Sequence, residues 1–238
     1  MKLVILAGGY GKRLTTGDNT IPKPLVEIGE KPLIWYVMKL FASQGITEFI
    51  ICLGYMAEEI SDTINRFSEV SDGSWDVINV DTGIESSKLS RIKQVSGYLA
   101  EETNLLSYAD NLCDLNLSAL LKQHKKEKKL LTITGVRPHS PYGHIFMDNG
   151  MVSFKEKPEM KNSLVNAGFM AFNRSFLGFI DKHSGELETE IISALARENE
   201  LGVYRHTGRW IGINNSKEYE TVYNLHKIGD AFWEIWKK

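Results

Sequence analysis

A glycine-rich turn followed at once by two cations is the densest chemistry in this sequence. Gly8-Gly9-Tyr10-Gly11-Lys12-Arg13 interrupts the apolar run Leu3-Val4-Ile5-Leu6-Ala7. Glycines at that point let the chain turn sharply and bring backbone N–H groups close to a ligand. Lys12 and Arg13 add positive charge beside those donors, the combination a bound polyphosphate requires. Lys23 stands between Pro22 and Pro24, whose rings stiffen the backbone and fix its direction. These residue types point to a nucleoside triphosphate held at the end of the first strand. A dinucleotide-binding turn would want its glycines as G-x-G-x-x-G, whereas here Lys-Arg stands where the third glycine would be.

Further along, Asp110 closely follows the apolar run Leu105-Leu106-Ser107-Tyr108 and so belongs at the C-terminal edge of a strand, where ligands of α/β sheets sit. On residue type alone a turn or helix-cap role is the commoner one for such an Asp. Lys157 stands in Glu156-Lys157-Pro158, a weak signal in isolation. The six histidines show neither metal-ligand nor catalytic spacing.

Several of these segments together resemble the nucleoside-diphosphate-sugar pyrophosphorylases. Leu6-Ala7-Gly8-Gly9-x-Gly11-x-Arg13-Leu14 and Pro22-Lys23-Pro24-Leu25-Val26-Glu27-Ile28-Gly29 match that signature. Val80-Asp81-Thr82-Gly83, Phe154-Lys155-Glu156-Lys157-Pro158 and Asn166-Ala167-Gly168-Phe169 continue the likeness in order. Within the superfamily the chain is similar to the glucose-1-phosphate cytidylyltransferases. The resemblance implies a CTP-dependent enzyme that transfers CMP to a small phosphorylated acceptor and releases pyrophosphate. It implies Arg13, Lys23 and Lys157 as catalytic residues, with Lys157 orienting the acceptor phosphate. Leu6, Ala7, Gly8, Gly9, Gly11, Lys12, Asp81, Thr82, Gly83 and Arg91 would bind the nucleotide. Glu156, Asn166, Gly168 and Glu188 would face the acceptor, and Asp110 and Asn214 would ligate Mg2+. A homo-oligomer is also implied.

The chain departs from that pattern in places. Ala109-Asp110-Asn111 replaces Gly-Asp-Gly, Leu89-Ser90 precedes Arg91 where the family has two glycines, and Asn214 stands where the glucose-1-phosphate enzymes have Asp. A neutral carbonyl still suits Mg2+ but removes one charge, so weaker metal affinity is expected. The connection from Ser68 to Trp75 is also short. The default acceptor is a sugar 1-phosphate. Phosphocholine and the amide phosphate of glutamine, used in capsule phosphoramidate synthesis, are the non-sugar alternatives. A nucleotide-binding module without catalysis is the more distant one.

Apolar strand-length runs alternate with amphipathic helix-length ones, which predicts a Rossmann-like α/β fold with a mixed, mostly parallel sheet. Strands are expected at Lys2–Ala7, Glu48–Leu53, Asp76–Val80, Leu105–Tyr108, Leu130–Val136 and Val165–Asn173. Asp148-Asn149-Gly150 predicts a hairpin between His144–Met147 and Val152–Lys155. Helices are expected at Pro32–Gln44, Ala57–Phe67, Lys88–Ala100, Leu117–Lys126 and Thr189–Glu198, with one long C-terminal helix from Ser216 to Lys238. The 238 residues fit one nucleotidyltransferase domain, 1–136 carrying the nucleotide and 137–238 the acceptor. With 28 basic and 30 acidic residues there is no global field to attract nucleic acid. Two cysteines make no disulfide framework and suit a cytoplasmic protein. No apolar run reaches membrane-span length and no signal-peptide pattern precedes the first strand, so no membrane partner is expected.

Overall fold

A computed structural model describes residues 1–10, 21–70, 75–138, 140, 142–160 and 163–237. In chain order its strands are β1 (Leu3–Leu6), β2 (Glu27–Ile28), β3 (Lys31–Pro32), β4 (Glu48–Leu53), β5 (Asp76–Asp81), β6 (Thr103–Tyr108) and β7 (Asn111–Cys113). There follow β8 (Leu131–Val136), β9 (His144–Asp148), β10 (Met151–Lys155), β11 (Val165–Asn173), β12 (Leu201–Arg205) and β13 (Trp210–Gly212). The helices are α1 (Leu33–Ala42), α2 (Ala57–Val70), α3 (Lys88–Gln94), α4 (Leu117–Glu127), α5 (Ser175–Ile180), α6 (Ser193–Arg197) and α7 (Ser216–Lys227).

Seven strands form one mixed sheet in the order β12-β8-β11-β6-β1-β4-β5. All neighbours run parallel except β11, which is antiparallel to both β6 and β8. Strand β1 lies inside the sheet, between β6 and β4, and is apolar on both faces, as a doubly covered strand must be. Leu3 and Ile5 pack with α1, α2 and α4, while Val4 packs on the opposite face with α3, α5 and α6. Helix α1 starts at Pro32 as its N-cap and is followed by Gly45 at φ +89°, the asymmetry expected of helix ends. The chain leaves β1 for β4 on one side and reaches β6 on the other. That reversal of direction opens a crevice at the C-terminal ends of β1 and β6.

Several expectations need correcting. The C-terminal helix ends at Lys227 rather than Lys238, because Gly229 turns at φ +77° and sends Phe232 and Trp233 back into the core, 6% and 1% exposed. Helix α3 stops at Gln94 and gives way to a 3-10 turn at Ser96–Tyr98. The helix expected from Thr189 begins earlier, as a π-helical turn at Leu187–Ile192 leading into α6. Strands β2, β3, β7, β12 and β13 and helix α5 were not foreseen. The Asn149-Gly150 hairpin is present, with both residues at positive φ, as a tight two-residue turn demands. Among the described residues no helix is long and apolar enough to cross a membrane.

Candidate functional site

Register places the key segments side by side. Leu6 of β1 pairs with Tyr108 of β6, so the residues that follow, Ala7-Gly8-Gly9 and Ala109-Asp110, emerge together at the crevice. A cavity of about 690 Å³ opens there, lined by Leu6, Ala7, Gly8, Gly9, Lys23, Arg91, Asp110, Asn166 and Asn214 among others. Nine of the residues singled out in the sequence thus share one cavity. Gly11, Lys12 and Arg13 lie outside the described residues.

Asp110 is the centre of this arrangement. Its Oδ2 lies 2.5 Å from the Lys23 ammonium, and its Oδ1 accepts a 3.1 Å hydrogen bond from the Asn111 side-chain amide. Lys23 also reaches the Asn214 carbonyl oxygen at 3.5 Å. Residues from three distant stretches therefore meet: the short 3-10 turn Lys23–Leu25, the end of β6 and the segment after β13. Asn214 is held by the start of α7, where Asn215 caps the helix by accepting from the Glu218 N–H and Glu218 accepts in return from the Asn214 N–H at 2.5 Å. Two convergent hard oxygens, one anionic and one neutral, around a cation are a donor set that fits a divalent ion retaining several waters.

A second polar group is organised by Tyr108. Its hydroxyl donates to Glu188 at 2.6 Å, and the Lys88 ammonium pairs with the same carboxylate oxygen and lies 4.9 Å from the Tyr108 ring centroid. Burial acts to raise the Glu188 pKa, but hydrogen bonds from Lys88 and Tyr108 outweigh it and hold the carboxyl below its ordinary range. Burial above all, then the bond to Glu188, pushes the Tyr108 phenol upward, so it remains a donor. Asn166 borders the cavity and accepts from the Gly168 N–H at 2.9 Å. Gly168 itself sits at φ +83° within the irregular stretch where β11 shifts register against β8.

Other expected residues stand off the cavity. Asp81 accepts from the Gly83 N–H at 2.9 Å and shapes that turn. Thr82 is buried and donates to the Leu53 carbonyl at 2.6 Å, so its hydroxyl is committed to the protein. Arg91, by contrast, borders the cavity, but it is buried with its guanidinium turned onto backbone carbonyls. Glu156 and Lys157 are exposed at the foot of the β9–β10 hairpin, Lys157 at φ +43°, and neither lines the cavity. The sequence reading missed Lys88, Tyr108, Glu186 and Trp210, all of which do. Only Tyr108 carried a signal, its place at the end of an apolar strand.

A mixed sheet with a glycine turn at its crevice, facing an aspartate, an asparagine and a lysine, is the frame of an enzyme that moves nucleotidyl groups. The chain belongs to the nucleotidyl transferase family, whose model matches residues 2–224. Glucose-1-phosphate cytidylyltransferase of Salmonella typhi is 35% identical over 100% of both chains. Among solved structures, the inositol-1-phosphate CTP transferase of T. maritima superposes with a TM-score of 0.71 at 16% identity, covering 98% of this chain and 96% of that one. HddC from Yersinia pseudotuberculosis complexed with GMP-PN gives 0.70 at 22% identity, covering 94% and 99%.

Proposed function

We propose that the protein transfers CMP from CTP to a sugar 1-phosphate, glucose 1-phosphate by default, and releases pyrophosphate. The observation that carries the reading is the convergence of Lys23, Asp110 and Asn214 at the mouth of the cavity that begins at Gly8-Gly9. The full-length similarity to a glucose-1-phosphate cytidylyltransferase supports the choice of base and acceptor.

In this reading the Gly8–Arg13 turn holds the triphosphate, and an oxygen of the acceptor phosphate attacks the α-phosphorus in line with the departing pyrophosphate. No general base is required, because the attacking phosphate is ionised at neutral pH. Asp110 and Asn214 hold Mg2+, which when bound neutralises charge and polarises phosphate oxygens. Lys23, fixed between two prolines, places positive charge where negative charge develops. Asn166 and the Lys88–Glu188–Tyr108 cluster orient the acceptor, and Lys157 approaches its phosphate from the hairpin. The work is positioning and electrostatics, which is what phosphoryl-type transfer demands of a protein.

The test is magnesium-dependent pyrophosphate release, with each of the four nucleoside triphosphates against a panel of acceptors. The panel holds glucose 1-phosphate, other hexose 1-phosphates, phosphocholine and L-glutamine phosphate. Release with CTP and a hexose 1-phosphate is the expected result. Release confined to another nucleotide or to a non-sugar acceptor would overturn the corresponding half.

A further inference from the structure

Arg91 reaches from α3 into the point where β1, β4 and β5 end. Its guanidinium donates to the Leu53 carbonyl at 2.6 Å, the Thr82 hydroxyl at 2.5 Å, the Gly8 carbonyl at 3.0 Å and the Ile84 carbonyl at 3.3 Å. It is 4% exposed. All four acceptors are neutral, and among the described residues no carboxylate lies within ion-pair distance of it. The backbone has been cleared for this side chain: a Cβ at Gly54 would lie 2.7 Å from Nη1, and one at Gly8 would strike the guanidinium directly. Gly8 is thus required from below by Arg91 as well as from above by any ligand.

A buried cation whose hydrogen-bond partners are all neutral, with Asp81 acting on it only from beyond ion-pair distance, gains when a further counter-charge arrives. Arg91 lines the cavity beside the glycine turn and donates to the Gly8 carbonyl of that turn. We propose that Arg91 is a positioning residue that fixes the Gly8–Gly9 turn and attracts the triphosphate electrostatically beside it, touching neutral groups of the protein and no part of the base. The inference rests on the nucleotidyl-transfer reading and adds that the contribution of Arg91 grows with the number of phosphates on the ligand. Burial, the main influence on its pKa, acts against the charged form, so an arriving polyanion relieves a penalty already present.

The experiment is calorimetric titration of CTP, CMP and cytidine, with magnesium, into the wild type, Arg91→Met and Arg91→Lys, each checked for folding by circular dichroism. A unit charge at the wall of the cavity is worth roughly tenfold to a hundredfold in affinity for a polyanion. Arg91→Met should therefore weaken CTP about thirtyfold, CMP less, and cytidine less than about threefold. Arg91→Lys, which keeps the charge, should recover most of the CTP affinity. Equal losses for all three ligands, or no loss for CTP, would overturn the electrostatic role. If neither variant folds, Arg91 is a structural staple and the proposal fails. A wild type that binds no nucleoside triphosphate would instead overturn the functional reading beneath it.

Discussion

Gly168→Ala tests the geometry of the site at a position that touches no substrate in the mechanism above. Gly168 holds φ +83°, where a residue with a Cβ costs about 1–2 kcal/mol. The new methyl would lie 2.7 Å from Tyr108 Cδ2 and nearer still to the Asn111 side-chain nitrogen. Asn111 is 7% exposed and has little room to yield, and overpacking of that kind costs about 1–3 kcal/mol. Displacing Asn111 also breaks its 3.1 Å hydrogen bond to Asp110, worth about 1 kcal/mol. The combined destabilisation is about 3–6 kcal/mol, which in a chain of this size lowers Tm by about 6–24 °C. Because Asp110 loses its support, the rate should fall as well. A shift of about 1 Å in a reacting group costs on the order of a hundredfold, so kcat should drop about tenfold to a hundredfold. The assays are differential scanning calorimetry and steady-state pyrophosphate release. A variant with Tm within about 2 °C of wild type and kcat within about twofold would refute the claim that Gly168 exists to make room for Asn111.

Lys23→Met should lower kcat by about a hundredfold or more with the fold intact by circular dichroism, and near-normal turnover would remove Lys23 from the mechanism. Asp110→Ala should do the same and also abolish the magnesium response of the rate; retention of that response would place the metal elsewhere. Asn214→Asp restores an anion beside Lys23 and the metal oxygens, so the half-saturating magnesium concentration should fall about fivefold to tenfold, and an unchanged value would refute Asn214 as a ligand. The Glu188 carboxyl is held below its ordinary range by Lys88 and Tyr108, so its contribution to stability is present above the unfolded-state pKa of about 4.3 and lost as pH falls through the lower folded value. Urea midpoints measured between about pH 5 and pH 3 should therefore fall more steeply in the wild type than in Glu188→Gln, and parallel profiles would count against the cluster.

The parts of this fold that were legible in the sequence are those whose signal is local. The apolar run of β1, the Asn149-Gly150 turn and the Pro32 and Gly45 bounds of α1 each carry their own physical cause within a few residues. Strands β7 and β13 are three residues each, too short for any period to register, yet their pairing sets Gly212 opposite Asn111. The C-terminal segment misled because its aromatic residues continue a helical rhythm across Gly229, where the chain reverses. Asp110 could be placed at a strand end from its neighbours, but only the family resemblance distinguished a metal ligand from a turn residue. The Lys88–Glu188–Tyr108 cluster was invisible for a different reason: Lys88 and Glu188 are 100 residues apart, and no spacing rule connects them.

The departures from the family pattern take on another meaning in three dimensions. In the sequence, Leu89-Ser90 and Asn111 look like changes on the acceptor side, and so like arguments for a non-sugar acceptor. In the structure Leu89 is 3% exposed and packs in the core beneath α3, while the Ser90 N–H is taken by the Ser87 cap. Neither residue lines the cavity. Asn111 is buried against Gly168 and spends its amide on Asp110, so it replaces the freedom of a glycine with a fixed hydrogen bond to the residue that matters. Leu89 and Ser90 thus belong to the frame behind the cavity, whereas Asn111 is part of its lining. In the proposed reading, discrimination among acceptors falls to Lys88, Tyr108, Asn166 and Glu186, which line the cavity. Tyr108 and Lys88 both donate to Glu188, and the Asn166 amide and Glu186 carboxylate also line the cavity, so the wall carries both donor and acceptor groups. That pattern suits the hydroxyls of a sugar, each of which donates and accepts. It suits a quaternary ammonium poorly, since such a cation offers no N–H and gains most from aromatic faces, and here the one ring beside Glu188 already carries Lys88 over it.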